Sequence, residues 1–298
     1  MRMEPFSARF PKPLLPVLDR PVIAHQIGWM AAVGVQEVIV VVSHLARQIA
    51  DALGDGSDFG VRLRYVEQGE PMGIAHAVGK VEPFVDRPFL LFLGDIFFVP
   101  RDLGEMFRMM RDESFRAVLA VKQEAEVDAI RRNFAVVMAD GGRVKRVIEK
   151  PRHPQSRLKG CGVYLFDLPF FDAIRRTPRS ALRDEYELTD AIQIFIDDEQ
   201  PVGATEAVES DTNLTFPRDL WQCNLNELGR TGLERLVSPE AEVQEGAEIV
   251  RSVVGARSRV AAGVRVEDAM VFPDTRVDHD AIGCIVTPDT RVTFREDP

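Results

Sequence analysis

The stretch PVIAHQIGWMAAVGVQEVIVVVS, residues 21–43, contains two hydrophobic patterns in succession. Its first part places Ile23, Ile27 and Met30 at helical spacing. Its second part, EVIVVVS (37–43), is apolar on both faces. A strand needs two apolar faces when it lies between layers of helices, as strands of a parallel sheet do. The stretch therefore predicts a helix followed by a buried parallel strand.

The same alternation continues along the chain. Helical and strand patterns follow one another in LARQIADALGD (45–55), VRLRYVEQ (61–68), GIAHAVGKV (73–81) and PFLLFLGD (88–95). Strands alternating with helices are typical of βαβ units, which form a parallel sheet. We therefore predict an α/β domain, with candidate functional residues at the carboxyl ends of its strands, where such sheets bind ligands.

After Ala241 the pattern changes to apolar residues at steps of five or six, which repeat every seventeen residues. These residues are Val243, Ile249, Val254, Val260, Val266, Val271 and Val277. A spacing near six is typical of a parallel β-helix built from hexapeptides. We therefore predict two domains, an α/β domain over 1–232 and a short hexapeptide β-helix over 233–298.

The composition limits the partners and the location. The 298 residues carry a formal charge of −10, which argues against nucleic acid as a partner. Cys161, Cys223 and Cys284 form neither a disulfide framework nor a zinc motif, as expected in a reducing cytoplasm. The nearest candidate for a membrane span, FLLFLGDIFFV (89–99), is short and contains Asp95. We expect a soluble, cytoplasmic protein that binds no membrane.

Two stretches present single charged residues in restrained positions. Lys12 lies between prolines in PKP (11–13), which restrict its backbone and make its ammonium a good phosphate ligand. Asp95 ends the apolar pattern in LGD (93–95), where a carboxylate suits Mg²⁺, which takes one or two carboxylates plus substrate phosphates. The alternatives are a solvated basic terminus and an ordinary aspartate in a turn.

Two other stretches offer polar groups at predicted strand ends. Gln68 can donate and accept hydrogen bonds to a nucleobase, and Gly73 precedes a helix whose first amides are free. Glu149 and Lys150 end a strand pattern before a proline, where a carboxylate suits sugar hydroxyls and an ammonium suits a phosphate. An ordinary loop and an exposed ion pair are the alternatives. We interpret RDEYELTDAIQIFI (183–196) as a structural helix start.

The histidines and cysteines give no pattern for covalent catalysis. His25, His44, His76 and His153 lack metal-ligand spacing, and the sequence contains no recognisable Ser–His–Asp or Cys–His arrangement.

Taken together and in this order, the motifs resemble those of the sugar-1-phosphate nucleotidyltransferases, also called NDP-sugar pyrophosphorylases. The matching elements are PKPLLPV with its upstream arginine (Arg2 to Val17), Q-x2-P-x-G (Gln68 to Gly73), LGD (93–95), EKP (149–151), GVYLF (162–166) and EYELTDAI (185–192). The C-terminal repeat resembles the left-handed β-helix of many members. The resemblance therefore covers essentially the whole chain.

The resemblance implies a Rossmann-like domain with a mostly parallel sheet. It also implies transfer of a nucleoside monophosphate from an NTP to a hexose-1-phosphate, giving an NDP-sugar and pyrophosphate. Glucose-1-phosphate with dTTP or UTP is the favoured pair, and mannose-1-phosphate with GTP is the alternative. By motif, Arg2 and Lys12 would neutralise the triphosphate, and Gln68 and Gly73 would contact the base.

The remaining motif residues would bind the sugar phosphate and the metal. The resemblance implies that Glu149 and Gly162 contact the sugar and that Lys150 holds its phosphate. Asp95 would hold Mg²⁺. Such transfers depend on positioning and charge stabilisation more than on acid–base groups.

The chain departs from the family at two places. In ESDTNLTFPRDL (209–220), Asn213 takes the place of the second metal carboxylate, and Asp211 lies two residues earlier as a possible replacement. Of the glycine-rich phosphate loop at the front, only its arginine, Arg2, is present, and the strand before it would lie inside the sheet. We therefore expect the natural protein to start upstream of Met1.

Other functions fit parts of the sequence. A catalytically impaired regulatory or scaffold subunit is favoured by Asn213 and opposed by Lys12 and Asp95. An acyltransferase often contains hexapeptide repeats, but only His279 lies in this repeat. The open apolar edges of so short a β-helix predict a homo-oligomer.

Overall fold

The computed structural model describes residues 3–43, 45–181 and 183–294. The chain forms two compact units. We call Gln26–Asp211 the α/β unit, and Met1–His25 together with Thr212–Pro298 the repeat unit. The N-terminal segment therefore shares a unit with the C-terminal repeat. The predicted division after residue 232 stays a prediction.

Helices and strands follow one another up to residue 230. The helices are α1 Val22–Ala32, α2 Ala46–Leu53, α3 Ile74–Val81, α4 Gly104–Asp112, α5 Val127–Arg132, α6 Phe170–Arg176, α7 Leu188–Asp197 and α8 Pro217–Arg230. The strands are β1 Pro16–Val17, β2 Arg20–Pro21, β3 Glu37–Val42, β4 Arg62–Glu67, β5 Phe89–Phe92, β6 Ile96–Pro100, β7 Ala117–Gln123, β8 Phe134–Met138, β9 Val144–Glu149, β10 Leu158–Phe166, β11 Val202–Thr205 and β12 Val208–Asn213. Helices alternate with single strands from α1 to β5, as the sequence predicts, whereas later in the chain β8, β9 and β10 follow one another and so do α6 and α7.

The main sheet of the α/β unit is mixed. Its strand order is β11-β7-β10-β8-β9, and β5 also pairs with β10. β11 runs parallel to β7, but β5, β7 and β8 are antiparallel to β10, and β9 is antiparallel to β8. The prediction of a mostly parallel sheet is therefore wrong for this sheet. β3 and β4 form a separate parallel pair, as predicted, and β6 pairs with β12.

The central strands β7 and β10 of the main sheet are buried on both faces, which explains the error in strand direction. Successive residues of a strand point to opposite faces. Leu119 and Tyr164 accordingly lie in one hydrophobic cluster, whereas Val118 and Leu165 lie in another. A strand covered on both faces is apolar throughout, whichever way its neighbours run, so its sequence does not reveal their direction.

The repeat unit contains three stacks of parallel strands after α8. Their orders are β13-β16-β19-β22, β14-β17-β20 and β15-β18-β21, and β23 is antiparallel to β22. These strands are β13 Leu236–Val237, β14 Glu242–Val243, β15 Glu248–Val250, β16 Val253–Val254, β17 Arg259–Val260, β18 Arg265–Glu267, β19 Met270–Val271, β20 Arg276–Val277, β21 Ala281–Ile282, β22 Cys284–Val286 and β23 Arg291–Thr293.

The register confirms the seventeen-residue repeat from β13 to β20, whereas β21 and β22 pair with residues 15 positions earlier. Glu242 pairs with Arg259, and Arg259 pairs with Arg276, so neighbouring partners are 17 residues apart. Most of the predicted apolar positions lie inward in one buried cluster, although Val243 of the first strand in its stack is 37% exposed. The parallel stacks are consistent with a β-helix. Within the described ranges, no helix is long and apolar enough to cross a membrane.

Candidate active site

The end of β9 presents a carboxylate and an ammonium to solvent. Glu149 is the last residue of β9. Lys150 follows with φ of 42°, a left-handed backbone conformation that residues other than glycine rarely adopt. The backbone N–H of Lys150 donates to the carbonyl of Asn133 at 2.7 Å and holds this turn. The two side chains are 29% and 32% exposed, with 3.5 Å between Oε1 and Nζ. They are thus close together and accessible, which fits both the predicted ligand site and the alternative of an exposed ion pair.

Arg183 and Thr189 join Glu149 at this strand end. Arg183 Nη2 donates to Glu149 Oε1 at 2.8 Å, and Thr189 Oγ1 donates to Oε2 at 3.3 Å. The sequence pattern indicates a structural helix start for both residues, within 183–196, and does not predict that either contacts Glu149. Arg183 lies 34 residues from Glu149 along the chain, so no local spacing could have revealed the contact.

The cations of this cluster lie among three carboxylates. Arg183 Nε lies 2.9 Å from Glu187 Oε1 and Nη1 lies 4.0 Å from Glu185 Oε2, so with Glu149 the guanidinium has three carboxylate neighbours. Burial raises the pKa of Glu187, and the charge of Arg183 opposes that rise. A guanidinium has five N–H donors, so it can lie beside these three carboxylates and still donate to a phosphate. Lys150 and Arg183 together form a candidate phosphate site.

Gln68 and Gly73 are connected to each other and to the same segment. Gln68 Nε2 donates to the carbonyl of Gly73 at 3.1 Å and lies 3.5 Å from His76 Nδ1. Burial and the charge of Lys80 lower the pKa of His76, which favours its neutral form. The Gln68 amide nitrogen already donates within the loop. The side-chain carbonyl oxygen is therefore the atom of Gln68 that would bind a base, by accepting a hydrogen bond from it.

The backbone of Tyr186 packs against Gly73. Gly73 has φ of 107°, and a Cβ there would lie 2.5 Å from the Tyr186 carbonyl oxygen. That oxygen accepts a hydrogen bond from the Ala75 N–H at 3.0 Å, so one of the first amides of α3 is already satisfied. The segment 183–189 therefore contacts both the Gln68–Gly73 loop and the Glu149–Lys150 turn.

Asp95 lies in a turn that two neighbours hold. Gln26 Nε2 donates to the carbonyls of Leu93 and Ile96, both at 2.8 Å. The Leu93 N–H donates to the carbonyl of Gly162 at 3.0 Å. Gly162 has φ of 74°, which favours glycine, and a Cβ there would lie 2.4 Å from Ile96 Cδ1, so that side chain would have to move. Gly162 thus shapes the Asp95 turn, and its predicted contact with the sugar stays a prediction.

The predicted triphosphate ligands lie in the N-terminal segment. Lys12 begins a 3₁₀ turn, Lys12–Leu14, directly after Pro11, and its side chain is half-buried. Arg2 lies outside the described residues, so its predicted role stays a prediction.

Asp211 and Asn213, the two candidates for the second metal ligand, have other contacts. Lys159 Nζ lies 2.6 Å from Oδ2 of Asp211, and Lys122 Nζ lies 3.1 Å from Oδ1 without hydrogen-bond geometry. Burial alone would lower the pKa of Lys122, but the carboxylates of Asp211 and Glu124 raise it. Asn213 Oδ1 accepts a hydrogen bond from Thr215 Oγ1 at 3.4 Å. Among the described residues, no three His, Cys, Asp or Glu side chains form a metal cluster.

The family of the chain follows from comparison with known sequences. The family model described as "Nucleotidyl transferase" matches residues 1–222, which is most of the chain. The chain belongs to this nucleotidyltransferase family. The members of this family are enzymes that transfer nucleotidyl groups. The resemblance found in the sequence is therefore confirmed.

Individual relatives share this assignment. A glucose-1-phosphate thymidylyltransferase of Streptomyces griseus is 33% identical, over 98% of this chain and 82% of that protein. The UTP–glucose-1-phosphate uridylyltransferase AglF of Haloferax volcanii is 30% identical, over 73% of this chain and 88% of that protein. The structure of a UDP-glucose pyrophosphorylase in complex with UDP-glucose superposes with a TM-score of 0.67 at 18% identity, over 77% of this chain and 94% of the other. At that identity the superposition supports the nucleotidyltransferase fold.

Proposed function

We propose that this nucleotidyltransferase transfers a nucleoside monophosphate from dTTP or UTP to glucose-1-phosphate, giving an NDP-glucose and pyrophosphate. The observation that carries the proposal is the cluster of Glu149, Lys150 and Arg183, which the segment 183–189 joins to Gln68 and Gly73. A sugar-phosphate site and a base site thus share one segment. The names of the two similar proteins support the choice of glucose-1-phosphate and of a pyrimidine nucleotide.

The chain's own residues act by binding and orienting the two substrates. Lys150 and Arg183 hold the phosphate of the sugar, and Glu149 accepts hydrogen bonds from sugar hydroxyls. A phosphate oxygen of the sugar then attacks the α-phosphorus in line, and pyrophosphate leaves. The reaction therefore requires aligned reactants and stabilised charge, and no residue of the chain becomes covalently bonded.

The nucleotide is oriented by the other predicted residues. Gln68 accepts a hydrogen bond from the base beside Gly73, and Lys12 with Arg2 neutralises the triphosphate. Asp95 suits Mg²⁺, because one carboxylate on a held turn is the kind of ligand that Mg²⁺ combines with substrate phosphates. When bound, the ion neutralises negative charge on the phosphates. Asp211 fits this role poorly, since two lysines already neutralise it.

A substrate screen tests the proposed reaction. The full chain is incubated with Mg²⁺ and each pair of NTP and sugar-1-phosphate, and both pyrophosphate and NDP-sugar are measured, because NTP hydrolysis alone would give no NDP-sugar. We expect most product from glucose-1-phosphate with dTTP or UTP, and little from the variant Lys150→Met. Most product from mannose-1-phosphate with GTP would support the alternative substrates. No NDP-sugar from any pair would contradict catalysis and favour a scaffold subunit.

We also infer that residues 233–298 form a left-handed β-helix through which copies of the chain associate. The parallel stacks with their seventeen-residue register support the β-helix. Exposed apolar side chains, Val243 and Ile282, support association. The three cysteines are free and buried, in keeping with the predicted cytoplasmic location.

A further inference from the structure

The segment that carries Lys12 packs against the C-terminal repeat. On the N-terminal side of Lys12, the rings of Phe6 and Phe10 lie 5.6 and 5.3 Å from the ring of Phe272. Phe272 directly follows β19 and is 1% exposed. Arg9 also forms an ion pair with Asp289. These contacts fix the chain before Lys12 to the repeat strands.

A second anchor holds the chain after Lys12. The N–H of Leu18 donates to Oδ1 of Asn224 at 2.7 Å, and Nδ2 of Asn224 donates to the carbonyl of Pro16 at 3.1 Å. Asn224 lies on α8 and is 1% exposed, so both of these hydrogen bonds come from a buried side chain. Leu18 has φ of 57°, a conformation that needs such support in a residue other than glycine.

Between the anchors the chain has little freedom. The Leu14 N–H donates to the Pro11 carbonyl at 2.8 Å, and the Leu15 N–H donates to the Lys12 carbonyl at 3.1 Å. Proline on each side of Lys12 restricts the backbone further. The position of Lys12 is therefore set by its two anchors, Phe272 and Asn224. Both lie more than 200 positions later in the chain than the residues of this segment that they contact.

We propose that the C-terminal repeat positions the Lys12 loop for the nucleotide, with Phe272 and Asn224 as positioning residues. The repeat would then take part in substrate binding, besides any role in association. The proposal rests on the proposed function for the role of Lys12 at the triphosphate. A misplacement of about 1 Å far from the reacting atoms can lower a rate about 100-fold, so anchors of this kind have kinetic consequences.

Two variants of the full chain test the anchors separately. Phe272→Ala removes the ring that Phe6 and Phe10 contact. Asn224→Asp keeps an acceptor for Leu18 but loses the donor to Pro16. For each we expect faster amide hydrogen exchange in residues 6–18 and a kcat/KM for the NTP about 10- to 100-fold lower, with an unchanged KM for glucose-1-phosphate. Phe272→Leu, which keeps apolar contact, restores part of the loss.

The matched control is Val266→Ala, because Val266 is buried inside the repeat strands. We expect it to lower the thermal midpoint without changing exchange in residues 6–18 or the NTP kinetics. The proposal is overturned if Phe272→Ala and Val266→Ala change these readouts equally, or if the loop loosens without any change in NTP kinetics.

Calorimetric titration with UTP and Mg²⁺ separates this proposal from the proposed function. If the unmodified chain forms no NDP-sugar, the proposed function fails, and UTP affinity replaces the kinetic readout. Weaker UTP binding in both anchor variants then still supports positioning by the repeat. Equal affinity in the unmodified chain and the variants, or no UTP binding at all, overturns it.

Discussion

The carboxylate of Asp211 lies between two ammonium groups, that of Lys159, which is buried, and that of Lys122, which is 20% exposed. Lys122 and Lys159 lie directly opposite each other on β7 and β10, where like charges repel. The Asp211 side chain, 1% exposed, contacts both, and Glu124 contacts Lys122 Nζ at 3.4 Å. Two negative groups thus balance two positive groups inside the sheet. Removing one member leaves an uncompensated buried charge, which is far less favourable than removing an exposed charge.

We predict that Asp211→Asn destabilises the protein by about 3–5 kcal/mol, because Lys159 loses its closest counter-charge. Urea unfolding followed by circular dichroism measures this change. Asp86→Asn is the control, since Asp86 is exposed beside Arg87 and its loss changes stability by about 0.5 kcal/mol or less. Similar unfolding midpoints for the two variants would show that the buried network contributes little.

Arg183 allows a second prediction at the scale of one side chain. If it holds the sugar phosphate, Arg183→Met raises the KM for glucose-1-phosphate about 10- to 100-fold, the value of one charge-assisted hydrogen bond, and leaves the KM for the NTP unchanged. Steady-state kinetics with each substrate varied in turn measure both constants. Arg176→Met is the control, because Arg176 pairs with Asp198 on the protein surface. An equal rise in both KM values would assign Arg183 a structural role.

At the scale of elements, features set by local sequence pattern can be predicted, whereas features set by tertiary contacts cannot. The sequence predicts α1 and β3 well, because helical spacing and a two-sided apolar run are local properties. Strand direction in the main sheet is not local, and the prediction there is wrong. Likewise Glu149 and Lys150 are predicted from one motif, whereas Arg183 reaches them only because the chain before α7 folds back onto β9.

The docking of α3 gives a prediction about an element. Gly73→Ala places a Cβ against the Tyr186 carbonyl in a backbone conformation that alanine rarely adopts. We expect a loss of about 1–3 kcal/mol and a higher KM for the NTP, because Gln68 bonds to the same residue. Gly28→Ala in α1 is the control. The new Cβ would have no atom within 4 Å outside its own helix backbone, so stability rises by about 0.4–1 kcal/mol. Thermal unfolding of both variants contradicts the argument if the two shifts have the same sign.

At the scale of the whole molecule, the repeat carries its charges in register. Arg257 contacts Asp274 and Glu240, and Arg265 contacts Glu248, each 17 residues away. Such exposed pairs contribute little stability individually but keep the outer surface of the repeat polar. Exposed apolar groups interrupt this polar surface at Val243 and Ile282. Val243 lies on the first strand of its stack and Ile282 on the last strand of another, so these apolar side chains lie at the two open ends of the repeat, where they favour contact with further copies.

We therefore predict that the full chain is an oligomer and that Val243→Asp with Ile282→Asp shifts it towards the monomer. A charge buried at an interface without a partner strongly weakens association, whereas the same charge in solvent changes stability little. Light scattering after size exclusion measures the mass of both proteins, and circular dichroism checks that the variant remains folded. Glu242→Lys is the control for charge alone, since its side chain is already exposed and polar. A folded double variant with the mass of the unmodified oligomer would place the interface elsewhere. Two unpaired charges buried at the interface would weaken association.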